Sequence, residues 1–327
     1  MKLSDALASK ICHIPDILAG CKADSTTKSY YYSFLRWKRW ALIHDLPISD
    51  VLPAKALPVA IYLASLCNEC NSSSPIIQAF YGINWAHSTV GVESPTDTTL
   101  VKNVLEGAKR RLAKPVNKKE PLDVDTLHKI FNSLYQHRNI YNQRTICAFL
   151  IASAGFLRVS ELLNIRLSDL CFYDTHMTIS IPKSKTDIYR DGNSVVIARS
   201  ANKYCPVHNL ELFLSWCDFH SSNDSDSFIF RNFKRTKTSY ELRKDDKPLT
   251  YTRMRELFRS ALQPFVTDVN KYGLHSLRSG GATTSASLGV PDRLFKRHGR
   301  WRSETAKDGY VKDSLYDRLS VSSNLNI

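Results

Sequence analysis

A chain of 327 residues that is 43% hydrophobic and 23% charged has the composition of a globular protein with one or two ordinary cores, which excludes a disordered or fibrous one. It carries no run of about 18 apolar residues and no charged-then-apolar stretch at Met1, so neither a membrane span nor a secretory leader is expected; the protein is expected to stay where it is made or to be imported folded. A net charge of +14 points to a polyanionic partner, and the excess is not confined to a tail: residues 1–120 hold 15 Lys and Arg against 10 Asp and Glu, and residues 121–327 hold 30 against 21.

The first third reads as helical. Apolar residues recur at helical spacing over 4–12 and over 29–44, the latter through Tyr30, Phe34, Trp37 and Ala41. Arg36, Lys38 and Arg39 interleave with aromatics there. A small bundle with the rings inside and the cations solvated accounts for that pattern, and leaves the cations free to touch phosphates. Shorter helices are expected over 58–67 and 75–85, parted by Asn71-Ser72-Ser73-Ser74. A helix over 98–112 ends on the basic run Lys109-Arg110-Arg111. Pro115 and Pro121 then bracket an aperiodic, charged stretch, the best linker in the chain. The expected division is a helical domain over 1–114, a linker over 115–121 and a second domain over 122–327.

Beyond the linker, helices are expected over 123–136, 143–154 and 158–165. Period-two stretches at 177–181 and 194–197 flank a polar turn over 183–192 and read as a β-hairpin. Further helices are expected over 206–219 and 252–262, after His275, after Pro291, after Ser303, and over 313–321. The fold class is mainly α with a small β-sheet, in two domains. Eight cysteines are scattered along the chain and read as reduced, mostly buried thiols. Cys67 and Cys70 have metal-ligand spacing, but Cys205 and His208, the nearest complement, begin 135 residues beyond Cys70; core packing is the expectation and no metal is expected.

The chemistry gathers in the last third. His275-Ser276-Leu277-Arg278 is followed by Trp301, 23 positions after Arg278, and by Tyr310, nine further on, with Arg158 and Glu161 far upstream. Two arginines can hold a phosphate by paired N–H forks. A histidine and an indole N–H can add donors to the non-bridging oxygens, and a tyrosine hydroxyl can attack phosphorus. Arg158 and Glu161 share a face at i,i+3, so the carboxylate can orient the guanidinium. Arg293, Lys296, Arg297, Arg300 and Arg302 crowd the approach to Tyr310 and are expected to form an exposed basic rim. Ser279-Gly280-Gly281-Ala282 keeps one helix face small, for DNA or for another helix to approach.

These residues resemble the tyrosine recombinases, the phage-integrase-like DNA strand-exchange enzymes. The resemblance runs through Ala154-Gly155-Phe156-Leu157-Arg158-Val159-Ser160-Glu161-Leu162, Lys185 in the hairpin, His275-x-x-Arg278, Gly299-Arg300-Trp301 and Tyr310. The stretches from Leu294 to Trp301 and from Gly309 to Asp313 look most like recombinases of eukaryotic mobile elements, which implies a nuclear location. Trp301 stands where many members carry a second histidine, a variant the family accepts; His298 is its rival by proximity. The resemblance implies a two-domain DNA clamp, with residues 1–114 as the core-binding domain and 122–327 as the catalytic domain. It implies a site-specific recombinase or integrase that cuts and rejoins DNA through a 3′-phosphotyrosyl link, without metal or cofactor. Arg158, Lys185, His275, Arg278, Trp301 and Tyr310 would be catalytic and Glu161 supporting, with Lys183 a rival to Lys185 as general acid. Arg36, Lys38, Arg39, Lys109, Arg110, Arg111, Arg300 and Arg302 are the expected DNA contacts. The implied partners are double-stranded DNA and further copies of the chain, as a tetramer on two DNA sites, with no membrane. Two other classes would keep the same residues: a silenced, domesticated DNA-binding protein, and a type IB-like topoisomerase. The compact length favours the recombinase.

Overall fold

A computed structural model of the chain describes residues 21–182, 192–219, 226–237 and 239–325. It divides into two compact units, Met1–Asn117 and Lys118–Ile327, so the division falls inside the proline-flanked stretch over 115–121.

Four helices build the described part of the first unit: α1 (Asp24–Ile43), α2 (Ala56–Glu69), α3 (Ser74–Val90) and α4 (Thr99–Arg111). The expected helix over 4–12 lies outside the described residues. Helix α1 buries Ser33, Trp37 and Ala41, one residue per turn, while Arg36, Lys38 and Arg39 stay exposed; the packing of Trp37 is completed by its indole N–H, which donates to the Val51 carbonyl at 3.1 Å. Gly82 lets α1 and α3 approach closely. A Cβ there would lie 2.7 Å from that of Ser33. Helix α4 turns Val101, Leu105 and Ala108 inward and ends on Lys109, Arg110 and Arg111, where cations complement the carbonyl end of the helix dipole.

The second unit is organised around α6 (Ile140–Ala154), which is buried on all faces from Gln143 to Ala152. Helix α5 (Val124–Leu134) starts at Asp123, whose carboxylate accepts from the Thr126 amide at 2.7 Å. Arg158 caps the short α7 (Val159–Leu163) in an extended conformation, φ −71° and ψ 150°, and so lies just outside the helix expected to contain it. Strands β1 (Leu170–Phe172), β2 (His176–Ile181) and β3 (Asn193–Ala198) form one antiparallel sheet in that order. Its β2–β3 pair matches the expected hairpin strands, with Met177, Ile179, Ile181, Val195 and Ile197 alternately inward, while turn residues 183–191 lie outside the described set.

Helix α8 (Pro206–Trp216) packs on α6, and a second antiparallel pair follows, β4 (Phe233–Arg235) with β5 (Tyr240–Leu242). Then come α9 (Tyr251–Leu262), α10 (His275–Ser287), α11 (Asp292–Gly299), α12 (Glu304–Asp308) and α13 (Leu315–Ser323). Strands β1, β4 and β5 are not expected from the sequence: three residues show no period, and pairing across the sheet makes them strands. Helix α10 carries the small face. A Cβ on Gly280 would fall 1.9 Å from the Leu122 carbonyl oxygen, and one on Gly281 would fall 2.1 Å from that of Ser153. That face therefore receives the protein's own backbone, at the end of α6 and the start of the unit.

Candidate active site

Where α6 ends, the chain turns through Gly155 and Phe156. Phe156 is held at φ +45°, a left-handed conformation that a side chain rarely adopts. This turn aims the Phe156 carbonyl inward. It accepts from Arg278 Nη1 and, at 3.1 Å, from Arg300 Nη2. Arg278 sits on the first turn of α10, is fully buried at 0% exposure, and donates its Nη2 to the Gly299 carbonyl at 2.7 Å. Its guanidinium lies against two rings, 4.9 Å from the centroid of Trp301 and 4.7 Å from that of Tyr310.

Glu161 is the hub of the cations. One oxygen accepts from Arg158 Nη1 at 2.7 Å; the other accepts from the Arg158 amide and from Arg300 Nη2, both at 2.8 Å, and stands 4.0 Å from Arg278 Nη1. Burial pushes the Glu161 carboxyl up, but Arg300 and Arg158 together hold it below the usual carboxylate range. Burial, and after it the neighbouring Arg158, draw Arg278 down from the usual guanidinium range, which still leaves it charged at neutral pH. Three guanidinia against one carboxylate leave the pocket strongly positive.

Trp301 is 6% exposed and packs in a cluster with Phe156, Ala282 and Phe295. Gly299 makes room for it, since a Cβ there would lie 2.0 Å from the indole ring. Its ring centroid is 5.6 Å from that of Tyr310, whose ring in turn is 6.4 Å from His275. Tyr310 is half-buried just beyond α12, and the Thr283 hydroxyl of α10 ties this segment down by accepting from the Lys312 amide at 3.1 Å. Among the described residues, the Trp301 indole N–H and the Nε–H groups of Arg278 and Arg300 are buried donors of this site without a hydrogen-bond partner, and Arg144 and Arg231 carry others elsewhere. Leaving such a donor unpaired costs about 1–3 kcal/mol, so two of them on residues packed against the Tyr310 ring are a demand for acceptor oxygens.

The fold thus brings Arg158, Glu161, His275, Arg278, Trp301 and Tyr310 together. Lys185 and Lys183 lie outside the described residues. His298, the alternative to Trp301, is turned toward the end of α6. Its Nε2 lies 2.8 Å from the Ala154 carbonyl and so carries the proton, and burial lowers its pKa.

Arg300 corrects the expected basic rim. It is 8% exposed, and its Nη atoms donate to the Gly155 and His298 carbonyls as well as to Phe156 and Glu161, which removes it from any DNA surface. The cause is its backbone: Arg300 caps α11 in the left-handed region, φ 56° and ψ 39°, which turns its side chain into the protein. Trp301 is likewise buried, whereas Arg293, Arg297 and Arg302 are exposed. The Phe156 carbonyl is not visible in the sequence, because backbone acceptors leave no mark on residue type.

Residues 120–314 match the phage integrase family. The integrase/recombinase xerD homolog of Selenomonas ruminantium is 24% identical over 307 residues, 91% of this chain and 86% of the relative. Among solved structures, the chain is similar to the Tn1549 transposon integrase in complex with transposon right end DNA, with a TM-score of 0.59 and 13% identity over 97% of this chain and 96% of that one. It is similar to the XerH site-specific recombinase bound to palindromic difH substrate in a post-cleavage complex, with a TM-score of 0.56 and 16% identity over 84% and 72%. It is also similar to a lambda integrase dimer bound to a COC′ core site, with a TM-score of 0.53 and 16% identity over 94% and 77%. At such identities the solved structures speak for the fold, and the family match over most of the second unit carries the assignment: the chain belongs to the phage integrase family, the tyrosine recombinases, which are DNA strand transferases.

Proposed function

We propose that this chain is a site-specific recombinase or integrase whose nucleophile is Tyr310. The observation that carries the reading is the pair of unpartnered buried donors, Trp301 Nε1–H and Arg278 Nε–H, on residues whose side chains pack against Tyr310. A scissile phosphate set there satisfies both donors with its non-bridging oxygens.

In the step proposed, Tyr310 Oη attacks phosphorus and the P–O5′ bond breaks. The products are a 3′-phosphotyrosyl ester and a free 5′-hydroxyl. The phenol must lose its proton as the bond forms; His275, beside it, assists that transfer. Lys185, or Lys183, supplies the proton to the departing 5′-oxygen. Arg158 and Arg278 hold the non-bridging oxygens and stabilise the added charge of the pentacovalent transition state, and Trp301 donates its indole N–H to the same group. The ester keeps the energy of the broken bond, so the 5′-hydroxyl of a partner strand reverses the step on a new end. None of this chemistry calls on a metal or a nucleotide.

Double-stranded DNA is the proposed partner, contacted by both units. The exposed cations Arg36, Lys38, Arg39, Arg110, Arg111 and Arg302 support that reading, as does Lys109, although it also meets Glu106 at 2.6 Å. Assembly as a tetramer on two DNA sites, an origin in a eukaryotic mobile element and residence in the nucleus are further parts of the proposal. They rest on the resemblance around Gly299-Arg300-Trp301 and Tyr310.

The test is covalent trapping. Wild type and Tyr310→Phe are mixed, without metal, with nicked duplexes from the ends of the element that carries the gene. An adduct that survives denaturation is expected with wild type alone. Tight site-specific binding by wild type without an adduct would instead identify a silenced DNA-binding protein.

A further inference from the structure

Arg300 shares an acceptor with each half of the phosphate clamp, Glu161 Oε2 with the Arg158 amide and Phe156 O with Arg278, and its own four hydrogen bonds all go to the protein. We propose that it is a positioning residue of the strand-transfer reaction. It occupies the Glu161 carboxylate, so that this charge does not withdraw Arg278 from the phosphate, and it shares the Phe156 carbonyl with Arg278. This inference rests on the site being the phosphotyrosyl-forming centre.

The distances state the competition. Glu161 Oε2 is 2.8 Å from Arg300 Nη2 and 4.0 Å from Arg278 Nη1, while the other oxygen is committed to Arg158 at 2.7 Å. With Arg300 removed, the carboxylate has one further guanidinium within reach, and that is Arg278. Attraction between buried opposite charges is far stronger than at a surface, so a small movement would close the gap. Arg278 would then be drawn toward Glu161, and Arg158 would lose its alignment as the carboxylate turned.

The backbone side of the node fixes the Arg300 fork in place. Phe156 O accepts from both arginines, and Arg300 Nη1 pins the preceding Gly155 carbonyl at 3.2 Å and the His298 carbonyl at 3.0 Å. Four acceptors from three separate segments are thus held by one planar fork. A lysine, with one compact ammonium on a flexible stem, keeps the charge but cannot span them together.

The test compares two nicked duplexes from the same element ends, one with an ordinary scissile phosphate and one with a methylphosphonate there. The second lacks one charged non-bridging oxygen, so less of its transition state depends on the arginine pair. Single-turnover adduct formation is measured at saturating DNA, with binding measured separately, for wild type, Arg300→Gln and Arg300→Lys. On the phosphate, Arg300→Gln is expected to lose about 100-fold in rate with DNA affinity held within about threefold, and on the methylphosphonate to lose less than about tenfold. Where a melt shows that the glutamine variant does not fold, Arg300→Lys is read by the same contrast.

An equal loss on both substrates marks a merely structural role and overturns the inference, as does a wild-type rate. Failure of wild type itself to form a Tyr310-dependent adduct would instead overturn the reading of the site.

Discussion

Glu161 and Arg300 are 139 positions apart in the chain and 2.8 Å apart in the fold. The same carboxylate holds Arg158 and stands 4.0 Å from Arg278, so one buried negative charge organises three guanidinia. Its folded pKa is below the ordinary value, because Arg300 and Arg158 outweigh the effect of burial. A depressed folded pKa contributes stability that is complete above the unfolded value, about 4.3, and is lost as the pH falls through the folded one.

Wild type is therefore expected to lose stability in acid over a window that opens near pH ~4.3 and extends below it. Glu161→Gln should flatten that window. It should also lower stability at neutral pH by about 3–5 kcal/mol, since it leaves buried guanidinia without their counter-charge. Urea midpoints of both proteins between neutral pH and strong acid provide the check. Parallel curves would remove Glu161 from the account.

Trp301→Phe separates the indole donor from the ring. The variant keeps an aromatic group among Phe156, Phe295 and Tyr310 and removes an N–H that has no partner among the described residues. Stability is expected to change by less than about 1.5 kcal/mol, because the ring is nearly conserved and an unsatisfied donor disappears. Adduct formation should fall by about 10²–10³. A variant that cleaves like wild type would show that the indole N–H does not meet the phosphate.

Two glycines make a matched pair on opposite grounds. Gly280→Ala places a Cβ 1.9 Å from the Leu122 carbonyl oxygen, a rigid backbone atom, and should cost at least about 1–3 kcal/mol. Gly107→Ala, inside α4 with nothing within 4 Å of the new methyl, should gain about 0.5–1 kcal/mol from the lower entropy of the unfolded chain. Opposite shifts in the urea midpoint are expected. A neutral Gly280→Ala would mean that α10 does not press on Leu122 as described.

Arg158, His275, Arg278, Trp301 and Tyr310 are recognisable in the sequence because the chemistry needs those side chains, and short spacings tie most of them together. The longer helices show themselves by period, as Val101, Leu105 and Ala108 do in α4. Gly280 is visible as a small residue, but what it makes room for arrives from Leu122, far upstream. Arg300 is visible as a cation in a basic run, yet its direction is set by a left-handed turn at the end of α11 and by a carboxylate on another helix. Tertiary geometry decides both.

The exposed cations of the first unit allow a test by salt. Each phosphate neutralised on duplex DNA contributes about 0.9 to the slope of log affinity against log salt concentration. Joint replacement of Arg36, Lys38 and Arg39 by alanine should lower that slope in proportion to the phosphates these three cations neutralise, and should leave folding intact because all three are exposed. The same replacement at Lys109, Arg110 and Arg111 carries an additional cost, as those cations face the C-terminal end of α4. An unchanged slope in both variants would confine DNA contact to the catalytic unit.

The last helix offers the test of assembly. Leu315, Tyr316 and Leu319 of α13 are 70%, 82% and 52% exposed, and no residue of this helix is buried. Its start is well made: the Ser314 hydroxyl accepts from the Asp317 amide at 3.1 Å, and the Asp317 carboxylate accepts in return from the Ser314 amide at 3.2 Å. A helix so short is marginal on its own in water, and its apolar side gains most from a surface to cover. If that surface is another copy of the chain on DNA, deleting the residues after Asp313 should weaken the multi-protomer complex on paired sites by at least about tenfold, with single-site binding nearly unchanged. Gel-shift titrations with one-site and two-site duplexes read the two quantities separately. Equal losses in both would assign the helix to its own protomer, and a deletion without effect would leave α13 no part in assembly.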